Sequence, residues 1–220
     1  TPMNGILGFL ELLKEPDLND SDKNIYIDIV NQSGKRLLDT INDIIEISKI
    51  EAGVSELKLE KVNVEDIMEY HYHFFMPQSK EKGVQLIIDK QIKGNESKVI
   101  TDKYKLDCIL SNLIKNAIKF TSKGFVKIGN FIEGNNLVFY VEDTGRGISP
   151  DRVNAVFERF TQAEMGYNRP HDGSGLGLSI VKAFVDIMGG SIEVRSEVGE
   201  GSVFTFSIPF REDILRFYSI

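Results

Sequence analysis

Asn112, Asn116 and Lys119 fall at i, i+4 and i+7, so one helical face carries all three while Leu113, Ile114, Ala117 and Ile118 turn inward. An amide oxygen is a hard donor, and a lysine two turns on can neutralise an oxyanion. Asp143-Thr-Gly145-Arg-Gly147 ends an alternating strand pattern, and its glycines let the backbone turn and approach a flat ligand closely. An ionised carboxylate there only accepts hydrogen bonds, so it suits an exocyclic amine and repels a carbonyl oxygen. Gly173-Ser174-Gly175-Leu176-Gly177 opens a helix, which aims unpaired N–H groups and the positive helix end at an anion. Each patch alone has a plain alternative: a solvated helix face, a β-turn, a flexible linker. In this order they supply the parts that hold ATP with magnesium. That ion takes one or two protein oxygens plus phosphate oxygens, and Asn116 is the candidate ligand.

The elements that position these patches follow from periodicity. Ile27, Val30, Gly34, Leu37, Ile41, Ile44 and Ser48 alternate steps of three and four, with Leu38 and Ile45 widening the stripe into a long helix. Met3, Ile6, Leu10 and Leu13 make a shorter stripe, and the turn residues after Glu15 separate the two. Residues 1 to about 52 therefore read as a helical hairpin, which either packs on the rest of the chain or forms a four-helix bundle from two copies. Beyond Gly53 the pattern predicts a strand over 57–62, a helix over 64–82, a strand over 84–89 and a helix over 103–121 with Gly124 as its C-cap. A hairpin of strands 125–132 and 137–142 follows, then a short helix from Ser149-Pro150, a mobile lid over 163–174, a helix over 175–188 and a hairpin of 191–195 with 202–209. The fold class expected is α+β, with helices on one face of a mixed sheet.

Composition narrows the function. A net charge of −7 over 220 residues argues against a general nucleic-acid binder, which needs a basic surface to displace counterions. The single cysteine, Cys108, leaves no internal disulfide and sits in an apolar helical pattern that fits buried packing. No apolar run reaches bilayer length and no signal peptide opens the chain. Thr1-Pro2 begins without an initiator methionine, so the sequence reads as a soluble piece of something longer.

The patches resemble the N, G1, F and G2 boxes of the sensor histidine kinases, on the Bergerat ATP-binding fold shared with gyrase, Hsp90 and MutL. Val156-Phe157-Glu-Arg159-Phe160 stands as the F box, and Gly199-Glu-Gly201 through Phe206 resembles the last glycine-rich box. Ser48 to Gly53 is similar to the segment joining the dimerisation helices to the ATPase domain, and Thr1 to Ile6 to the tail of the H box. The resemblance implies domains at 1–53 and 54–220. It implies that Asn116 coordinates magnesium, that Asn112 and Lys119 support the phosphates, and that Asp143 binds adenine with Thr205 beside it. Gly145, Gly147, Ile148, Phe157, Gly173, Ser174, Gly175, Leu176, Gly177 and Leu178 would shape the pocket and its lid. Gln162 stands where many members carry a lid-front arginine, with Arg159 and Arg169 as substitutes.

The resemblance further implies a homodimer through the N-terminal helices, a response-regulator receiver domain as partner, and a cytoplasmic location with any membrane anchor in an absent part of the parent protein. Two other classes compete: a conformational ATPase of the gyrase type, which needs an acid near Asn112 and finds only Asp107, and a nucleotide-binding dimerisation module without chemistry. The family's phosphorylated histidine would lie four residues ahead of the Thr1-Pro2 pair. His71, His73 and His171 lack that context; packing, surface and lid positions are expected for them. A polypeptide of these 220 residues is expected to bind Mg-ATP yet take up no acid-labile label from γ-labelled ATP. Stable phosphohistidine on it would overturn that expectation.

Overall fold

The structure, a computed structural model, describes residues 2–92, 94–153, 155–159 and 175–210. Helices α1 (Pro2–Leu12) and α2 (Asp20–Glu51) form the expected hairpin. Asn19 caps α2 by accepting from the Asp22 N–H, and Phe9 packs on Tyr26 with ring centroids 5.4 Å apart. Met3, Leu7, Leu38, Ile41, Ile44 and Ile45 stay exposed, and no residue of either helix is fully buried, so the hairpin leaves much of its apolar stripe open.

After it come β1 (Glu60–Asn63), α3 (Val64–Glu81), β2 (Val84–Lys90), β3 (Lys98–Thr101) and α4 (Lys103–Phe120). They are followed by β4 (Gly124–Glu133), β5 (Asn136–Asp143), α5 (Gly177–Ile187), β6 (Ser191–Glu197) and β7 (Gly201–Pro209). Five strands make one sheet in the order β2-β4-β5-β7-β6, parallel only between β2 and β4. Val126, Ile128, Phe139, Val141, Phe204 and Phe206 alternate along their strands and meet Leu106, Leu110, Leu113, Ile180 and Phe184 from α4 and α5 in one core. This is the expected α+β layering.

The differences are local. The strand expected over 57–62 shrinks to Glu60–Asn63, which pairs with β3, a strand too short to show in the pattern. The short helix expected after Pro150 is a turn, in which the N–H groups of Arg152 and Val153 donate to the Ser149 carbonyl, followed by a single 3₁₀ turn at Ala155–Phe157. Gly124 is not the C-cap of α4. Thr121 ends that helix in extended conformation, its hydroxyl donating to the Ala117 carbonyl, and Gly124 instead opens β4 where a Cβ would strike the Thr144 hydroxyl.

Helix α4 carries the first patch, and both its ends are fixed by buried polar groups. Asp102 is the N-cap: Oδ1 accepts the Lys105 N–H at 2.9 Å, and Oδ2 accepts the Lys58 N–H at 2.9 Å. The Lys105 ammonium sits 3.1 Å from the same carboxylate and donates to the Glu56 carbonyl at 2.7 Å. Burial pushes the Asp102 carboxyl up, but the two N–H groups and the ammonium outweigh it and hold the carboxyl below its ordinary value. At the other end Lys82 donates to the carbonyls of Ile118 and Lys119 at 2.6 and 2.5 Å. Replacing Asp102 with Ala removes a cap and strands Lys105 at 5% exposure. We expect a loss of about 3 kcal/mol in denaturant unfolding; a change under about 1 kcal/mol would contradict this role.

Candidate functional site

The three patches converge on α4. Beyond β5 the chain turns at Asp143, and a Cβ on Gly145 would sit 2.6 Å from the Phe120 carbonyl at the end of α4. A Cβ on Gly177 at the start of α5 would sit 2.6 Å from Oδ1 of Asn112. The second and third patches therefore press against opposite ends of the face that carries Asn112, Asn116 and Lys119. Gly175 has φ +73°, in the left-handed region that glycine enters without strain.

The turn after β5 is clasped on both sides. Arg146 N–H donates to the Phe120 carbonyl at 3.4 Å, and the Arg146 carbonyl accepts the Gly199 N–H at 2.8 Å. Thr144 is tied to β4, its N–H donating to the Phe125 carbonyl and its hydroxyl accepting the Phe125 N–H at 2.9 Å. Gly147 has φ +69°, and a Cβ there would overlap the Glu197 carbonyl on the β6–β7 hairpin. On that hairpin a Cβ at Gly201 would overlap the Asp143 carbonyl. Backbone touches backbone at both points.

Within this clasp the Asp143 carboxyl is 7% exposed and accepts the Gly145 N–H at 2.8 Å. Burial pushes it above the ordinary carboxylate value; the N–H groups of Gly145 and Ser202 oppose that shift without cancelling it, and Glu142 adds to it.

The sequence placed Thr205 beside Asp143, and the sheet register corrects this. Asp143 pairs with Ser202, whereas Thr205 pairs with Tyr140 on the opposite face of the sheet. Thr205 lies three residues beyond Ser202, and an odd offset along a strand reverses the face. Ser202 and Ser196, its register partner on β6, carry no sequence signal beyond the turn chemistry of a hairpin.

Leu176 is 1% exposed and belongs to the core, its carbonyl accepting the Ser179 hydroxyl and the Ile180 N–H at the start of α5. Phe157 also packs inward, edge-on to Phe204 at 6.2 Å. Ile148 and Leu178 are half-buried beside the core. Asn116 and Lys119 are half-buried on the open side of α4, with the Lys119 ammonium 4.8 Å from the Phe120 ring centroid. Arg159 forms an ion pair with Glu51 at the end of α2. Gly173, Ser174, Gln162, Arg169, His171 and the expected lid lie outside the described residues.

His71 is buried at 3% exposure, with Nε2 3.0 Å from the Asp107 carboxylate, a packing role as expected. That contact also engages Asp107, the acid that the sequence offers near Asn112 for a water-activating mechanism. Cys108 is half-buried, and burial pushes its thiol up. Among the described residues no three His, Cys, Asp or Glu side chains gather as a metal site, and no helix is long and apolar enough to cross a membrane.

Comparison with known proteins agrees with this geometry. Residues 101–212, just over half the chain, match the family described as histidine kinase-, DNA gyrase B- and HSP90-like ATPase, and residues 1–53 match the His Kinase A (phospho-acceptor) domain. The chain therefore belongs to this ATPase family. The two matches lie in one chain, with the His Kinase A segment ahead of the ATPase domain.

The chain is 40% identical over 218 residues to the autoinducer 2 sensor kinase/phosphatase LuxQ of Vibrio parahaemolyticus, covering 96% of this chain and 25% of that protein. It is 33% identical over 215 residues to the circadian input-output histidine kinase CikA of Synechocystis, covering 95% of this chain and 29% of that one. It thus spans about a quarter of the length of these relatives. Among solved structures, full-length ShkA in complex with AMPPNP superposes with a TM-score of 0.75 at 32% identity, covering 96% of this chain and 43% of that one. Histidine kinase ThkA in complex with response regulator TrrA shares the fold, with a TM-score of 0.73 at 23% identity over 96% of this chain and 58% of that one.

The clasp predicts unequal glycines. Gly147→Ala combines a left-handed φ with a backbone clash, so we expect at least about 3 kcal/mol of destabilisation. Gly199→Ala, at φ +89° but with nothing within 4 Å, should cost about 1 kcal/mol. Equal unfolding midpoints for the two variants would contradict the clasp.

Proposed function

We propose that this chain is the phosphoryl-donor part of a sensor histidine kinase. It binds Mg-ATP and delivers the γ-phosphate to the histidine of a His Kinase A region, from which it passes to an aspartate of a response-regulator receiver domain. The domains divide at residue 53, with 1–53 as the dimerisation and phosphoacceptor hairpin and 54–220 as the ATP-binding domain. The observation that carries the reading is the convergence of Gly145 and Gly177 on the Asn112–Lys119 face of one helix.

In this reading Asp143 accepts from the exocyclic amine of adenine, and Gly145, Gly147 and Ile148 line the base side. The N-terminus of α5, which begins at Gly177 just after Gly175, presents N–H groups to the phosphates, and the same role is proposed for Gly173 and Ser174, which lie outside the described residues. Asn112 and Lys119 support the phosphates from α4, and Asn116 offers its amide oxygen to the ion. Magnesium, carried in with the nucleotide, supplies charge neutralisation across the phosphates. The donor set suits a nucleotide-borne ion, because it offers an amide and a lysine rather than a carboxylate cage. What remains for the protein is positioning and electrostatics, which is most of what phosphoryl transfer needs.

The exposed stripe of Met3, Leu7, Leu38, Ile41, Ile44 and Ile45 supports a homodimer through α1 and α2. The ThkA–TrrA complex supports a receiver domain as partner. A cytoplasmic location within a membrane-anchored parent is part of the same proposal.

Two titrations test this. Asn116→Ala should abolish the magnesium-dependent part of ATP binding measured by calorimetry, a loss of about tenfold or more; unchanged affinity would remove Asn116 from the site. Affinity should also fall as the pH drops through a carboxyl titration lying above the usual value near 4, because Asp143 then protonates and stops acting as a pure acceptor. Asp143→Asn should bind weakly at every pH; a pH dependence identical to that of the native chain would contradict the assignment.

A further inference from the structure

Across the sheet from Asp143 runs a row of two hydroxyls that the reading above does not use. Asp143 on β5 pairs with Ser202 on β7, and Ser202 pairs with Ser196 on β6, so the three side chains share one face. Ser196 is half-buried and Ser202 is 6% exposed. Ser196 Oγ lies 2.8 Å from the Ile148 nitrogen, 2.8 Å from the Gly201 carbonyl oxygen and 2.9 Å from Ser202 Oγ.

Counting protons fixes the direction of each bond. A serine hydroxyl has one proton to give and two lone pairs to receive. The Gly201 carbonyl can only accept, so the Ser196 proton goes there. The Ile148 N–H can only donate, so it occupies one lone pair of Ser196. The remaining contact is then made by the Ser202 proton, donated to the second lone pair. Ser196 is saturated, and Ser202 has its proton turned away from Asp143 with its own lone pairs left over.

We propose that Ser196 is a positioning residue for recognition of the base. It holds the glycine turn through the Ile148 N–H, and it locks the Ser202 hydroxyl as an acceptor beside the Asp143 carboxylate. Two adjacent acceptors match a two-proton exocyclic amine and disfavour a carbonyl oxygen at the same place. The inference rests on the reading that Asp143 receives the base, and it adds that a residue with no ligand contact of its own sets the selectivity.

The test compares ATP with inosine triphosphate, which carries a carbonyl oxygen at the 6-position where ATP has the amine. Both are titrated by calorimetry against the native chain, Ser196→Ala and Ser196→Thr. With Ser196→Ala the Ser202 hydroxyl can rotate and offer its proton toward Asp143. The ratio of ATP to inosine triphosphate affinity should drop about tenfold, while Ser196→Thr, which keeps the hydroxyl and suits a strand, restores it. If both nucleotides weaken together, or neither changes, the proposal is overturned and Ser196 is a structural residue only.

Should Ser196→Ala fail to fold, Ser202→Ala removes the other end of the same bond, and a preserved ratio in that variant overturns the proposal equally. A native chain that binds both nucleotides alike would sink the assignment of Asp143 to the base. One that binds neither would sink the ATP site itself.

Discussion

The close approach of two backbones, at Gly147 against the Glu197 carbonyl and at Gly201 against the Asp143 carbonyl, is the constraint on which the rest of the site depends. A side chain at either glycine would push the β6–β7 hairpin away from the turn that follows β5. With the hairpin seated, the turn is held between it and the end of α4, where the Phe120 carbonyl accepts the Arg146 N–H. Asp143 then has little freedom. Its carboxyl is desolvated and partly hydrogen-bonded, which leaves a directed acceptor in a place that water reaches poorly.

Helix α4 is the element that turns this local clasp into a site. Its start is fixed by the buried Asp102–Lys105 pair, and its end by Thr121 and Lys82, so the face carrying Asn112, Asn116 and Lys119 is presented without play at either end. The beginning of α5 abuts Asn112 through Gly177. Helix α2 meets the same region through the partly buried Ile47 and Ile50 and through the ion pairs Lys115–Asp39, at 2.7 Å, and Arg159–Glu51. Exposed ion pairs contribute on the order of 0–1 kcal/mol each, so the isoleucines carry more of that contact than the charges do. Arg159, a candidate for meeting γ-phosphate charge, is committed to Glu51 in this arrangement.

Much of this was legible in the sequence because each signal had a strong local cause. The 3.6-residue period marked α2 to α5, and the alternation of β4, β5 and β7 marked the sheet. Three patches of complementary chemistry marked the candidate site. What escaped was set by partners distant in sequence. The four-residue strand β3 exists because β1 pairs with it, and four residues carry no usable periodicity. Gly124 read as a helix cap, whereas its role is to admit the Thr144 hydroxyl from a turn twenty residues on. Thr205 was placed beside Asp143 by motif, and only the register shows that Ser202 holds that position, on the face that Thr205 does not share. The Ser196–Ser202 row could not be seen at all without knowing which strands lie side by side.

A crystal structure of this chain with magnesium and AMPPNP, the analogue bound in ShkA, tests the account most directly. The account requires the adenine amine within hydrogen-bonding distance of the Asp143 carboxylate. It also requires the phosphates between the Asn112–Asn116 face of α4 and the start of α5, with the ion on the Asn116 amide oxygen. A base bound away from Asp143, or phosphates that contact neither α4 nor the N-terminus of α5, would contradict it.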